Sequence, residues 1–260
     1  MIGRMSSRVK TVSYGVVIRA MFCSALVACL IVPGKAEEGH ARSPARSPQD
    51  TLFVDCPKDG KPKRVLSPIA LSEGEAWHAY VEVNVQSDPC LNTTQLWTGR
   101  TNRPYRLVYL IPPARDLAGN GMEILGWARN SRMLLVRTKS WQWGSDAHGK
   151  QQVLAVDAAT GEVYEPELEA MLQGHKGKQC EFRVTDAGFS SDKNVIVLVR
   201  AEFLTAVDVG DAEADVPIAK RCGTTEETWS FNYATGEIKQ VGNTEPLLLF
   251  RKFTSSEPTK

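Results

Sequence analysis

Residues 124–164 run Ile124-Leu-Gly-Trp-Ala-Arg-Asn-Ser-Arg132, then Met133-Leu-Leu-Val136, and later Gln152-Val-Leu-Ala-Val-Asp-Ala-Ala-Thr-Gly161-Glu-Val-Tyr164. This stretch reads as a strand, a tight polar turn, an apolar strand, a loop, a third strand, a turn at Thr160-Gly161 and a short fourth strand. The pattern returns further on. Val184-Thr-Asp-Ala-Gly-Phe-Ser-Ser-Asp-Lys-Asn194 precedes Val195-Ile-Val-Leu-Val199, and Glu227-Thr-Trp-Ser-Phe-Asn-Tyr-Ala-Thr-Gly236-Glu-Ile closes the second copy. Trp127-Ala-Arg-Asn-Ser-Arg aligns with Phe189-Ser-Ser-Asp-Lys-Asn, and Asp157-Ala-Ala-Thr-Gly-Glu-Val with Asn232-Tyr-Ala-Thr-Gly-Glu-Ile. Residues 69–111 follow the same plan loosely, with Leu71-Ser-Glu-Gly-Glu as the turn.

Outward from this core the text stays β-like. From Ala76 the chain alternates, with Trp77, Ala79, Val81 and Val83 on one face and His78, Tyr80, Glu82 and Asn84 on the other, the period of a half-buried strand. Thr94–Thr98 and Arg106–Ile111 read as strands, the latter stopped by Pro112-Pro113 because proline gives a ladder no donor. One helix is expected near 166–173. Proline sits in its first turn, Leu168, Met171 and Leu172 form one face, and Gly174 is placed to close it.

Four short strands per unit, an aromatic followed by a polar turn at the opening and Ala-Thr-Gly-Glu-Val/Ile at the close resemble β-propeller blades of the TolB and dipeptidyl-peptidase-like kind, over about residues 65–242. The resemblance implies an all-β fold of antiparallel four-stranded sheets repeated as three to four propeller-like blades. It implies no particular activity, because propellers host many. The Gly-His and Trp-Asp signature of WD repeats is missing. A fourth blade would have to come from both chain ends, from Thr51–Val54, Arg64–Leu66 and Pro246–Phe250.

The N-terminus carries an address. Arg4, Arg8, Lys10 and Arg19 precede an uncharged run at 20–32, and Gly34-Lys35-Ala36 offers small residues at the two positions a signal peptidase reads. A run of about 13 residues is short of the ~20 that span a bilayer, so residues 1–36 are expected to be a signal peptide and the mature chain to lack a transmembrane helix. Leu26-Val27-Ala28-Cys29 resembles a lipobox, leaving a lipid anchor at Cys29 on a bacterial membrane as the alternative to a secreted or periplasmic protein. Residues 37–50, with a doubled Ala-Arg-Ser-Pro, form a tether without large apolar residues. A propeller-like β domain is expected at 51–253 and a tail at 254–260.

Beyond the leader stand Cys56, Cys90, Cys180 and Cys222, an even number in an exported chain. Of three connectivities the local one, Cys56–Cys90 with Cys180–Cys222, is favoured. No C-x-x-C occurs.

Thirty-one basic residues balance thirty acidic ones, so no whole-molecule field draws nucleic acid and no such partner is expected. No cofactor, metal or catalytic residue is assigned. Ser145, Asp146 and His148 read as a polar turn. Asp208, Asp211, Glu213 and Asp215 read as a solvated loop without the glycine of a calcium frame. Asn92-Thr93-Thr94 is a glycosylation sequon if the host glycosylates. Arg137, Lys139, Trp141 and Trp143 share one face of their strand, which reads first as a cation–π ladder on a solvated sheet face or as tryptophans tucked under the 144–151 loop; the alternative is a binding face, since aromatic planes beside cations suit sugars or anionic polymers. The expectation is therefore an exported, non-enzymatic binding or scaffold domain for a protein or polysaccharide. The alternatives are a propeller-type carbohydrate-active enzyme, which needs converging carboxylates, and an inactive propeller fragment.

Overall fold

The computed structural model describes residues 53–114, 118–129, 132–143, 150–177, 180, 182–190, 195–203, 222, 226–255 and 258. The leader and tether, the 144–149 loop and the acidic loop around Asp211 lie outside them.

Three antiparallel sheets follow in chain order. The first joins β1 (Lys63–Leu66), β2 (Ile69–Leu71), β3 (Trp77–Ser87), β4 (Cys90–Arg100) and β5 (Arg106–Ile111). The second is the meander β6 (Ala118–Trp127), β7 (Met133–Gln142), β8 (Gln151–Asp157) and β9 (Val163–Tyr164). The third is the meander β10 (Phe182–Phe189), β11 (Ile196–Phe203), β12 (Glu227–Asn232) and β13 (Ile238–Val241). The C-terminal β14 (Lys252–Thr254) returns to β2, giving the first sheet the order β14-β2-β3-β4-β5 with β1 also on β3.

The two meanders are one design down to their hydrogen bonds. Asp157 Oδ1 accepts from Ala159 N at 2.8 Å and Thr160 N at 3.2 Å, and Asn232 Oδ1 accepts from Ala234 N at 2.9 Å and Thr235 N at 3.3 Å. Glu162 N then bonds Thr160 Oγ1 and Glu237 N bonds Thr235 Oγ1. The glycines of the two Ala-Thr-Gly turns have φ of 79° and 72°, where a Cβ is disfavoured. Sequence identity at these positions is thus a turn mechanism, an Asx turn closed by a left-handed glycine.

The second sheet is buried on both faces. Along β7, Leu134 and Val136 join Val81, Val83 and Leu96 of the first sheet in one core, while the intervening Leu135 joins Val184, Val197 and Phe231 of the third in another. All three β7 residues have no accessible surface, and burying each contributes about 1.5–3 kcal/mol. That explains why Met133–Val136 reads as a continuous apolar run: there is no solvent side for a polar residue to face. A reciprocal amide pair also ties the first two sheets. Asn120 N donates to Asn92 Oδ1 at 3.0 Å, and Asn120 Nδ2 to the Asn92 carbonyl at 3.1 Å. Asn92 is 1% exposed, so this sequon is unavailable for glycosylation in the folded chain.

Both cysteine pairings are the local ones, Cys56–Cys90 and Cys180–Cys222. Several details differ from the sequence reading. The helix α1 spans Leu168–Lys176 and passes through Gly174, ending where Gly177 N bonds the Gln173 carbonyl. Its last turn is held by packing on β12, with the His175 ring 5.5 Å from Trp229 and Lys176 Nζ 2.6 Å from Glu227. Phe53 and Val54 are not in a strand. Arg64–Leu66 pairs with β3, and Leu248 and Phe250 bridge Phe189 and Trp127, so these segments complete existing sheets instead of forming a fourth. Tyr80 and Glu82, placed on the polar face, are buried at 0% and 5% exposure under Trp97, Tyr105 and Arg64.

Candidate functional site

Strand β7 runs past the start of β8 while staying paired with β6 to its last residue. On the β8 side Lys139 pairs with Gln151 and Ser140 N bonds the Lys150 carbonyl, while Trp141 and Gln142 pair with Gly119 and Ala118 of β6, so these side chains lie at the sheet's margin. Arg137, Lys139 and Trp141 fall on the face turned toward the third sheet, with Trp143 following.

The structure separates these four by role. Arg137 is committed: its guanidinium binds the Glu123 carboxylate across β6 and β7, and Nη1 reaches the Val184 and Thr185 carbonyls at 3.4 and 3.5 Å. It links the second sheet to the third. Trp141 lies on Gly119, its cross-strand partner, so that a Cβ there would collide with the indole. Trp143 meets the Trp141 ring edge-on with centroids 5.5 Å apart. The Trp143 indole N–H is buried and has no acceptor among the described residues.

Lys139 is the distinctive member. Its ammonium stands over the Phe53 ring, 4.5 Å from the centroid, and that ring is 5.1 Å from Trp141. Burial holds the ammonium below its ordinary pKa, and the neighbouring charges of Arg137 and Arg183 push the same way. Arg183 is paired with Glu202 at 2.5 Å. Lys139 has no acidic partner among the described residues. A partly buried cation thus stands against an aromatic group of Phe53, Trp141 and Trp143, with both neighbouring arginines already paired to carboxylates.

Phe53 was not legible as part of this group. It comes from the N-terminal segment, so no periodicity within β7 could bring it in, and it is 52% exposed. Arg183, on the neighbouring β10, was missed for the same reason.

Among the described residues the carboxylates of β6 and β10 do not converge. Glu123 is held by Arg137, and Asp186 lies 3.6 Å from Arg251. Among the described residues no three His, Cys, Asp or Glu side chains gather as metal ligands, and no helix is long and apolar enough to cross a membrane. The two disulfides fit an oxidising compartment. Comparison with family models, curated proteins and solved structures finds no match for this chain.

Proposed function

We propose that this chain is an exported binding domain without catalysis of its own, that its three sheets are consecutive propeller-like blades, and that it holds an acidic polysaccharide at Lys139, Trp141 and Trp143. One observation carries the ligand: Lys139 is partly buried against Phe53 and has no carboxylate partner among the described residues, whereas Arg137 and Arg183 beside it each have one. An isolated ammonium in such a setting costs free energy that an incoming anion returns. Sugar rings stack on indoles, so a uronate polymer satisfies both halves of the surface. Export is supported by the two disulfides and by the signal-like reading of residues 1–36, with lipidation at Cys29 the alternative route to the same side of the membrane. The blade reading is supported by the repeated meanders and their repeated turns. Against a glycosidase or lyase stands the commitment of Glu123 and Asp186 to arginines.

The test is binding of the folded chain to immobilised polygalacturonate, with neutral dextran as control. Lys139→Gln is the informative variant, because Trp141 also packs on Gly119 and its removal would disturb the sheet. Loss of polyuronate binding by about tenfold or more, at an unchanged melting temperature, is expected. Equal binding to both polymers, or indifference to Lys139→Gln, refutes the reading.

A further inference from the structure

A second surface, on the first sheet, has the chemistry of an anion site. Arg100, Thr101, Asn102 and Arg103 form a tight turn in which Arg103 N bonds the Arg100 carbonyl at 2.8 Å, with Asn102 at a φ of 62°. Residues at the two ends of such a turn lie within about 7 Å of each other at Cα, so two guanidiniums rise from neighbouring points. Both side chains are exposed, and neither has an acidic partner among the described residues. They line a groove of about 660 Å³ whose opposite wall is the 74–78 segment.

The walls are tied together. The Thr101 hydroxyl donates to the Glu75 carbonyl, and His78 Nε2 lies 3.2 Å from that carbonyl and 3.3 Å from Thr101 Oγ1. Thr101 N also bonds the Ala76 carbonyl at 3.1 Å. The groove is therefore built into the hydrogen bonding of two turns and does not depend on a ligand to form. Its acidic member, Glu75, is drawn off by Lys252 from β14, which holds the carboxyl below its ordinary range. What is left facing the groove is two uncompensated guanidiniums and an imidazole.

We propose that this groove binds a small molecule carrying a tetrahedral oxyanion, a phosphate or sulfate ester. Planar guanidiniums recognise such groups through paired N–H donors, and two of them arriving from one turn with a histidine on the facing wall approach from more than one side. The volume exceeds what a bare oxyanion fills, leaving room for an organic part the size of a sugar ring. Arg100 and Arg103 are the binding residues; Thr101 is a positioning residue that fixes the distance between walls.

The experiment titrates the full chain calorimetrically with glucose 6-phosphate, glucose 6-sulfate and inorganic phosphate at low ionic strength, and follows the His78 imidazole by NMR. Binding of at least one of the three is expected, with a His78 shift, and the Arg100→Gln/Arg103→Gln variant is expected to weaken it about tenfold or more. Inorganic phosphate binding as well as the esters assigns recognition to the oxyanion; a preference for either ester identifies the natural group. Absence of heat and of any His78 shift with all three probes at about 10 mM, or equal affinity in the double variant, overturns the proposal. Lys139→Gln should leave this binding unchanged, so its outcome stands apart from that of the polyuronate surface.

Discussion

Gly188 lies against Leu247 so closely that a Cβ built on it would stand 2.9 Å from both the Cα and the carbonyl carbon of Leu247. That approach lets the C-terminal segment thread past all three sheets. Leu248 exchanges two 3.0 Å backbone bonds with Phe189, Phe250 exchanges bonds of 3.0 and 2.7 Å with Trp127, and Lys252–Thr254 then pairs with Ile69–Leu71. One C-terminal strap is thereby bonded to all three sheets, at the last residue of β10 and of β6 and along Ile69–Leu71 of β2.

Gly188→Ala should therefore destabilise the domain by about 1–3 kcal/mol, because the obstructing atoms are backbone and cannot rotate away. In a domain of this size each kcal/mol moves the melting temperature by roughly 2–4 °C. Gly174→Ala is the contrasting case. It sits inside α1 with nothing within 4 Å of its added methyl, and should stabilise by about 0.5–1 kcal/mol. Thermal melts of both variants decide the matter; a Gly188→Ala protein that melts with the parent would mean the strap is not held at that distance.

The closing turns make a finer test. Asn232 Oδ1 caps two backbone N–H groups as Asp157 does in the other meander, so Asn232→Asp should change stability by less than about 0.5 kcal/mol. Asn232→Ala removes the acceptor and should cost about 1 kcal/mol, moderated because the freed N–H groups are near water. Denaturant melts of the two variants should separate them in that order. Equal losses would show that the carboxylate cannot replace the amide in this turn.

These turns also mark how far the chain could be read unaided. Asp157 and Asn232 were alignable because a turn's requirements are local: an acceptor, a small residue and a left-handed glycine at fixed offsets. The strands were legible for the same reason, Arg106–Ile111 to the residue. The strap was not. Leu247–Phe250 looks like any apolar run, and its partners Phe189 and Trp127 are far away in sequence, so only the glycine ahead of each aromatic hinted that another backbone passes there. At the candidate site the β7 face could be listed by alternation. The division between a committed Arg137 and an unpaired Lys139 depends on Glu123, Glu202 and Phe53 from other segments, and alternation is blind to them.

Tyr80 supplies the pH test. It pairs across strands with Trp97, stacks on that indole with centroids 6.2 Å apart, and meets the Tyr105 ring edge-on at 4.9 Å. The residue has no accessible surface, and its hydroxyl has no hydrogen-bond partner among the described residues. Burial, with the nearby Glu82 carboxylate adding repulsion, pushes its phenol up to about 12 from an ordinary 10.0. The folded state thus keeps a proton that the unfolded chain gives up, so the stability this group contributes is complete below pH 10 and is lost as pH rises toward 12. Tyr109 and Tyr233 are raised by burial as well and steepen the same alkaline loss. Tyr80→Phe should flatten that loss and, by deleting an unpartnered buried hydroxyl while keeping the ring stack, raise stability at neutral pH by about 1 kcal/mol. Tyrosinate absorbance followed beside the melting temperature across the alkaline range tests both halves. A Tyr80 that ionises near pH 10 in the folded chain, or a Tyr80→Phe variant less stable than its parent, would show that the hydroxyl has a partner holding it in place.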